Sequence, residues 1–174
     1  MFTLGSGTLV AAPWVSACNP AAIATTYPTP LTIGEVGGDV TIDISWQEKE
    51  FNGQSNFPLA WGFYGGKCTI KASKIALYPD NISALTSMVK SSAGGNDVYT
   101  GLATSIPVPL FLKFVHTRSD VAAKFVNVYF FKVFSKQLSL PFTREDIVQN
   151  ELVFDCMADY SMTAKDLLRV ESTQ

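Results

Sequence analysis

The sequence has few charged side chains. Asp, Glu, Lys and Arg make up 16% of its 174 residues, against roughly 25% in an average soluble domain. Hydrophobic residues make up 47%, which suits one domain with a sizeable core. Because little polar material remains to cover the surface, we expect part of the apolar surface to face other copies of the chain or a partner. The alternative is a monomer with a dense β core. The net charge of −2 argues against a general nucleic-acid-binding protein.

Residues that carry catalysis or bind metals are also scarce. The sequence has one histidine, His116, and lacks the GxSxG, HExxH and GxxxxGK[ST] patterns. Three widely spaced cysteines, Cys18, Cys68 and Cys156, are interpreted as buried apolar side chains in a reducing compartment. A zinc site of these cysteines with His116 is an alternative on ligand count alone. We predict no catalytic site, no metal, no cofactor and no enzymatic activity.

Long apolar runs are absent as well, so we predict neither a transmembrane helix nor a membrane partner. Among the charged residues, Asp155 and Asp159 are interpreted as solvent-facing acids of the last strand. Lys67, Lys71 and Lys74, with Lys49, form a modest basic cluster. Given the net charge, we expect this cluster to pair with acids of another subunit, and phosphate contact is the alternative.

Alternating apolar and polar residues predict most of the secondary structure. Val40 to Gln47 predicts a strand with Val40, Ile42, Ile44 and Trp46 on its buried face. Lys67 to Ile75 alternates again, with Cys68, Ile70 and Ala72 inward. Residues 106 to 116 and Glu151 to Tyr160 predict two more strands. Phe125 to Phe134 is apolar on both faces, which predicts a central strand covered on both sides, or one whose second side is covered by a neighbour.

One segment has a helical period. Ile82, Leu85 and Met88 or Val89 recur at three- and four-residue spacing, and Asp80 or Asn81 before them can cap the first turn. The pattern predicts a three-turn helix within Leu77 to Lys90, followed by a loop over Ser91 to Asp97.

These elements predict a mainly β fold, a β-sandwich or partly open barrel of two sheets with one flanking α-helix. Residues 1–34 are uncharged and rich in Gly, Ala, Thr and Pro. They predict an extended N-terminal arm, with a short strand from Thr8 to Ala12, that lies on the domain or on a neighbouring subunit. Residues 35–164 form the β domain, and 165–174 form a polar C-terminal tail.

The segment WQEKEFNGQSNFPLAWGFYGGKCTIKASKI, residues 46 to 75, combines turn residues with large aromatic rings. Glycines, amides and a proline predict that its first part is a long inter-strand loop. A solvated loop rarely carries so many rings, so we expect it to be covered after assembly. The rings are Trp46, Phe51, Phe57, Trp61, Phe63 and Tyr64.

A spaced pattern in the same region resembles the tail tube proteins, or major tail proteins, of tailed bacteriophages. The likeness covers roughly residues 33 to 160. It rests on Gly34-Glu35-Val36, the strand Val40–Ser45, Lys49-Glu50-Phe51-Asn52-Gly53-Gln54, Phe57-Pro58 and Gly66-Lys67-Cys68-Thr69-Ile70-Lys71-Ala72. Near the end of the chain, Phe131 to Leu140, Arg144-Glu145-Asp146 and Glu151 to Phe154 are similar to the last two strands of that family. Gly62-Phe63-Tyr64 departs from the more polar residues of the family.

The resemblance implies a β-sandwich subunit of hexameric rings that stack into a tube for genome DNA. It implies a location in the virion tail after assembly in the host bacterial cytoplasm. Its partners would be other copies of the chain, the terminator, the baseplate or tip, and the tape-measure protein. DNA would pass transiently through the lumen of the tube without specific binding. The long loop would contact an adjacent subunit or ring. Trp61 is added because it is an aromatic residue of the predicted surface loop. The expected interface residues are therefore Lys49, Glu50, Phe51, Gly53, Gln54, Phe57, Pro58 and Trp61.

Two alternatives remain open at this point. Another virion component, such as a tail terminator or a capsid decoration protein, could share the sandwich fold. A small-ligand or carbohydrate-binding β module could use Trp46, Trp61 and Tyr64 as stacking platforms.

Overall fold

The computed structural model describes residues 2–52, 58–77, 82–86, 88–101, 107–117, 124–139, 150–162 and 167–172. Within these ranges the chain forms eleven β-strands, two short α-helices and a 3-10 turn at Pro20–Ala22. The helices are α1 (Ile23–Thr26) and α2 (Ile82–Leu85). The strands are β1 (Phe2–Leu4), β2 (Gly7–Pro13), β3 (Leu31–Val36), β4 (Val40–Asn52), β5 (Pro58–Leu77), β6 (Val89–Ala93), β7 (Asn96–Thr100), β8 (Leu110–Thr117), β9 (Phe125–Ser139), β10 (Asn150–Cys156) and β11 (Leu168–Ser172).

Six antiparallel strands close into a barrel in the order β5, β10, β9, β8, β2 and β3, and pairing between β3 and β5 completes the circle. β4 pairs with β5, β1 with β4 and β11 with β9 as additional strands. The mainly β prediction is therefore confirmed. The finer prediction of a two-sheet sandwich is not confirmed.

The barrel interior is the main hydrophobic core. Its fully buried side chains come from every barrel strand, and they include Leu9, Ile33, Ile70, Phe114, Phe130 and Phe154. Val40 and Ile42 of β4 extend this core. The inward assignment of Cys68, Ile70 and Ala72 is confirmed, because all three are completely buried. Alternation predicted this face because inner and outer side chains of a barrel strand alternate.

A second cluster covers the outside of β8 and β9. Tyr129 and Phe131 of β9 point to this cluster, while Val128 and Phe130 point to the barrel interior. Tyr27, from the segment after β2, stacks on Phe111 with ring centroids 4.0 Å apart. The prediction that β9 is covered on both sides is confirmed.

The first residues of the chain belong to the sheet, in contrast to the predicted extended arm. β1 pairs with β4, and β2 lies between β3 and β8. The strand predicted at Thr8–Ala12 is confirmed and lies within β2. The tail also contributes a strand, since β11 pairs with β9 and Tyr129 Oη donates a hydrogen bond to Glu171 (2.9 Å). Uncharged Gly, Ala and Thr residues suit closely packed strands as well as an extended arm. The composition of residues 1–34 therefore could not distinguish the two structures.

The prediction of a three-turn helix was wrong. The described helix spans only Ile82–Leu85, and Val89–Ala93 pairs with Asn96–Thr100 as a hairpin. Leu85 is buried, which explains part of the helical period. Gly94 and Gly95 both have positive φ, 61° and 80°, as a two-residue hairpin turn requires. Residues 78–81, with the predicted cap, and Arg144-Glu145-Asp146 of the family-like pattern lie outside the described residues.

Candidate assembly surface

The β4–β5 hairpin continues past the barrel as a two-stranded ribbon. β10 pairs with β5 from Cys68 onward, and β1 pairs with β4 only as far as Ile42. Residues 45–52 and 58–67, named here the hairpin ribbon, pair with each other alone within the described part of the chain. Among the described residues, each ribbon strand therefore has one edge without a partner strand, and such an edge can accept a strand from another chain.

This ribbon replaces the long loop that the sequence predicted. Its register sets Gln47 opposite Tyr64, Lys49 opposite Gly62 and Phe51 opposite Ala60. Cross-strand hydrogen bonds hold residues that would otherwise favour turns, so local turn signals were overridden by pairing. Pro58 is the first residue of β5, a strand position that tolerates proline.

The predicted interface residues separate into two groups. Lys49, Glu50 and Phe51 lie on β4, and Pro58 and Trp61 lie on β5, where Glu50 faces Trp61 across the ladder. The structure thus brings these five together in one ribbon. Gly53, Gln54 and Phe57 lie outside the described residues. Their contact with another subunit stays a prediction.

Trp46 marks the base of the ribbon. It is 60% exposed, although alternation predicted it on the buried face with Val40 and Ile42. The ladder shifts register between Ser45 and Gln47, and there the strand leaves the barrel core. A Cβ at Gly66 would lie only 3.2 Å from Trp46 Nε1, so the glycine lets the indole lie against the backbone of β5. The exposed indole is available to a partner.

Large apolar side chains are exposed at several other places on the described surface. Val89 and Val98 share one face of the β6–β7 hairpin, which forms a separate two-stranded sheet. An isolated two-stranded hairpin is marginally stable in water, so cover by another chain would stabilise it. The exposed apolar residues are Val15, Leu31, Trp46, Val89, Val98, Val108, Phe125, Met157, Tyr160 and Val170.

A buried carboxylate joins the two ends of the chain. Asp159 is 1% exposed and follows β10, so its interpretation as a solvent-facing strand acid was wrong. Trp14 Nε1 donates to its Oδ2 (2.9 Å), and Ser161 donates to its Oδ1 through N (3.0 Å) and Oγ (2.5 Å). Burial alone would raise the pKa of Asp159, but these hydrogen bonds hold it below the ordinary value. Lys132 Nζ lies 4.4 Å from the Trp14 ring centroid. Sequence spacing carried no signal for this network, because Trp14 and Asp159 are 145 residues apart.

Two other polar residues singled out by the sequence, Asp155 and His116, have structural contacts. Asp155 accepts from Thr69 Oγ1 (2.9 Å) and pairs with Lys136 (3.4 Å) on the outer face of the barrel. His116 Nδ1 lies 2.7 Å from the Ser6 carbonyl oxygen, and its ring stacks near Phe114. Lys67 and Lys71 are exposed on β5.

The predicted burial of the cysteines is confirmed, and all three are free thiols. In the described residues, no group of three or more His, Cys, Asp or Glu side chains is placed to hold a metal.

A small apolar cleft lies between α2, the end of β2 and the start of β8. Its volume is about 200 Å³, below the roughly 300–1,000 Å³ that is usual for a drug-sized ligand. Its lining consists of Ala11, Ala12, Pro13, Ser83, Leu85, Thr86, Val108 and Leu110.

Known proteins add no assignment to this geometry. No protein-family model matches the chain, and no curated protein matches it in sequence. Among the described residues, no helix has both the length and the hydropathy that crossing a membrane requires.

Proposed function

We propose that this chain is a structural subunit of a bacteriophage tail tube, which self-assembles into stacked hexameric rings around a channel for genome DNA. The hairpin ribbon is the observation that carries the proposal. It extends past a closed barrel, has two unpaired backbone edges among the described residues and includes Lys49, Glu50 and Phe51 of the family-like segment. Edge pairing between chains is a direct way to build a continuous sheet. As part of the same proposal, the strands of this chain correspond to the two-sheet sandwich of that family.

The surface chemistry supports assembly between copies. Charged residues make up only 16% of the chain, and Trp46, Val89 and Tyr160 are among the exposed large apolar side chains. Repeated contacts of one surface with a different surface on the next copy produce rings when the rotation closes. The closed barrel provides a rigid body for such contacts, and the ribbon reaches out from it.

The proposed location is the virion tail, after assembly in the host bacterial cytoplasm. The terminator, the baseplate or tip, and the tape-measure protein would bind the ends or the inside of the tube. DNA would pass through the lumen without specific binding, which agrees with a net charge of −2.

Negative-stain electron microscopy combined with light scattering tests the proposal. The purified chain, concentrated stepwise, should form rings and then tubes whose mass rises with concentration. A chain that remains monomeric at high concentration and is absent from tubes in virions would contradict the proposal. Rings that never stack would instead favour a tail terminator.

A further inference from the structure

Two of the three cysteines face each other in the barrel wall. Cys68 of β5 and Cys156 of β10 are direct partners in the antiparallel ladder. Both are buried, at 0% and 5% exposure, and both belong to the barrel core. Cys18 belongs to the outer cluster with Tyr27 and Phe111. The three thiols are therefore a facing pair and a separate single thiol.

The ladder geometry matches the geometry of a disulfide. Directly opposite residues of an antiparallel pair have Cα atoms about 4.5 or 5.5 Å apart. Disulfides span Cα distances of about 4.4–6.8 Å. Both side chains belong to the core inside the barrel, so the two thiols lie side by side on the inner face of the sheet. Closure of an S–S bond therefore requires little movement of the backbone.

The pKa values of the two thiols are shifted in opposite directions. Donation from Cys156 lowers the pKa of Cys68, while burial acts in the opposite direction. The same hydrogen bond and burial raise the pKa of Cys156. The thiolate is the attacking species in thiol–disulfide exchange, and Cys68 is the partner whose pKa is lowered.

We propose that Cys68 and Cys156 form an oxidation site that a small dialkyl disulfide converts to an intramolecular disulfide. The Cys68 thiolate attacks one sulfur of the oxidant R–S–S–R, which forms a mixed disulfide and releases one thiol R–SH. Cys156 then attacks the Cys68 sulfur and expels the second R–SH. The cysteine pair loses two electrons and two protons, and the oxidant gains both.

The bond would lock the point where the hairpin ribbon leaves the barrel. Cys68 is the first residue of β5 that pairs with β10, and the ribbon precedes it. A covalent link between β5 and β10 would keep these strands together when the end of β10 opens. This inference does not depend on the proposed function, since it concerns the isolated chain.

Treatment of the reduced native protein with 2-hydroxyethyl disulfide tests the proposal. Alkylation and mass spectrometry should find one remaining free thiol, Cys18, and a cross-linked pair of peptides that contain Cys68 and Cys156. The oxidised protein should unfold at a midpoint roughly 5–10 °C higher, and dithiothreitol should reverse the shift. Three free thiols after prolonged treatment, or a bridge that includes Cys18, would overturn the proposal.

Single substitutions provide the matched controls. Cys18→Ala should retain both the bridge and the thermal shift. Cys156→Ala should abolish both. If Cys156→Ala fails to fold, peptide mapping of the wild-type protein still decides the question. A thermal shift of wild-type size in a folded Cys156→Ala protein would refute the assignment.

Discussion

At the scale of single residues, Asp159 links segments that are far apart in the chain. Its carboxylate accepts hydrogen bonds from Trp14 and Ser161, and the Ser161 hydroxyl accepts one from the Ala17 amide (2.7 Å). The segment after β2 and the segment after β10 are thereby joined over the outer face of the barrel. A buried carboxylate is stable in such a place because Trp14 and Ser161 donate hydrogen bonds to both of its oxygen atoms.

We predict that Asp159→Asn lowers the free energy of unfolding by about 1–3 kcal/mol at neutral pH. The amide replaces one acceptor oxygen by a donor, which then faces another donor, Trp14 Nε1 or the Ser161 amide. The pKa of Asp159 is lowered in the folded protein. Its contribution is therefore present above the unfolded pKa and is lost as the pH falls through the folded pKa. Urea titrations at several pH values should show the difference between wild type and variant shrinking in acid.

Asp97→Asn is the control for this experiment. Asp97 pairs with Lys90 at 3.0 Å, but both side chains are substantially exposed. Solvent screens such a pair, so its loss should cost less than about 1 kcal/mol. Equal destabilisation by the two substitutions would show that the buried network has no special role.

Lys74 has a backbone conformation that L-residues rarely adopt, with φ of 55°. It lies where β5 changes partner from β4 to β3, between Ala72 opposite Val40 and Ile75 opposite Val36. We predict that Lys74→Gly stabilises the fold by about 0.5–1 kcal/mol, because glycine adopts this conformation without a Cβ clash.

Chemical denaturation measures the Lys74 effect. Lys74→Ala retains the Cβ and should give no such gain, which separates backbone strain from loss of the lysine charge. A larger gain from alanine than from glycine would contradict the strain argument.

At the scale of elements, barrel closure depends on a close approach between β3 and β5. In the described part of the chain, three residue pairs join these strands, from Gly34 opposite Leu77 to Val36 opposite Ile75. A Cβ at Gly34 would overlap the carbonyl oxygen of Ala76, a backbone atom that cannot turn away. Glycine at this position is therefore a condition for closure.

We predict that Gly34→Ala lowers the free energy of unfolding by about 1–3 kcal/mol, since the strands must separate to admit the methyl group. Gly37→Ala is the matched control, because a Cβ there would make an ordinary 3.5 Å contact with the Lys74 carbonyl oxygen. Urea unfolding midpoints measure both. Similar losses for the two variants would show that Gly34 does not limit closure.

The strands that alternation predicted are the ones with one face in the barrel core. Lys67–Ile75 fits because burial of every second side chain leaves a period of two. Leu77–Lys90 failed because the three- and four-residue spacing of Ile82, Leu85 and Val89 is equally compatible with a short helix followed by a strand. The Gly94–Gly95 turn was the missed signal for the β6–β7 hairpin.

The sequence predicted where the candidate assembly surface lies in the chain, but it did not predict the secondary structure of that segment. The aromatic composition of residues 46–64 identified the segment, whereas its hairpin pairing depends on contacts that local patterns do not encode. Trp46 illustrates the limit: alternation assigns it to the core face, but the core ends before that residue. The Asp159 network had no local signal, because its partners meet only in the folded chain.

At the scale of the whole molecule, a closed barrel has a ribbon and a separate hairpin outside its core. Closure removes the sheet edges of the six barrel strands, whereas each strand of the ribbon has an edge without a partner strand among the described residues. Natural proteins usually protect long exposed edges. An assembly in which a neighbouring chain covers the ribbon would pair the backbone groups at its edges. It would also account for the low content of charged residues.

Phe51→Ala should therefore weaken assembly more than it weakens the fold. Phe51 lies in the ribbon opposite Ala60, and removal of an aromatic anchor at an interface can cost about 2 kcal/mol or more. We expect the concentration needed for ring or tube formation to rise roughly 30-fold, measured by light scattering and electron microscopy. The thermal midpoint of the isolated subunit should change little. Phe125→Ala, which truncates a 39% exposed ring outside the ribbon, is the control and should assemble as wild type. A severe loss of subunit stability in Phe51→Ala, or assembly at the wild-type concentration, would show that this ring belongs to the fold and not to the interface.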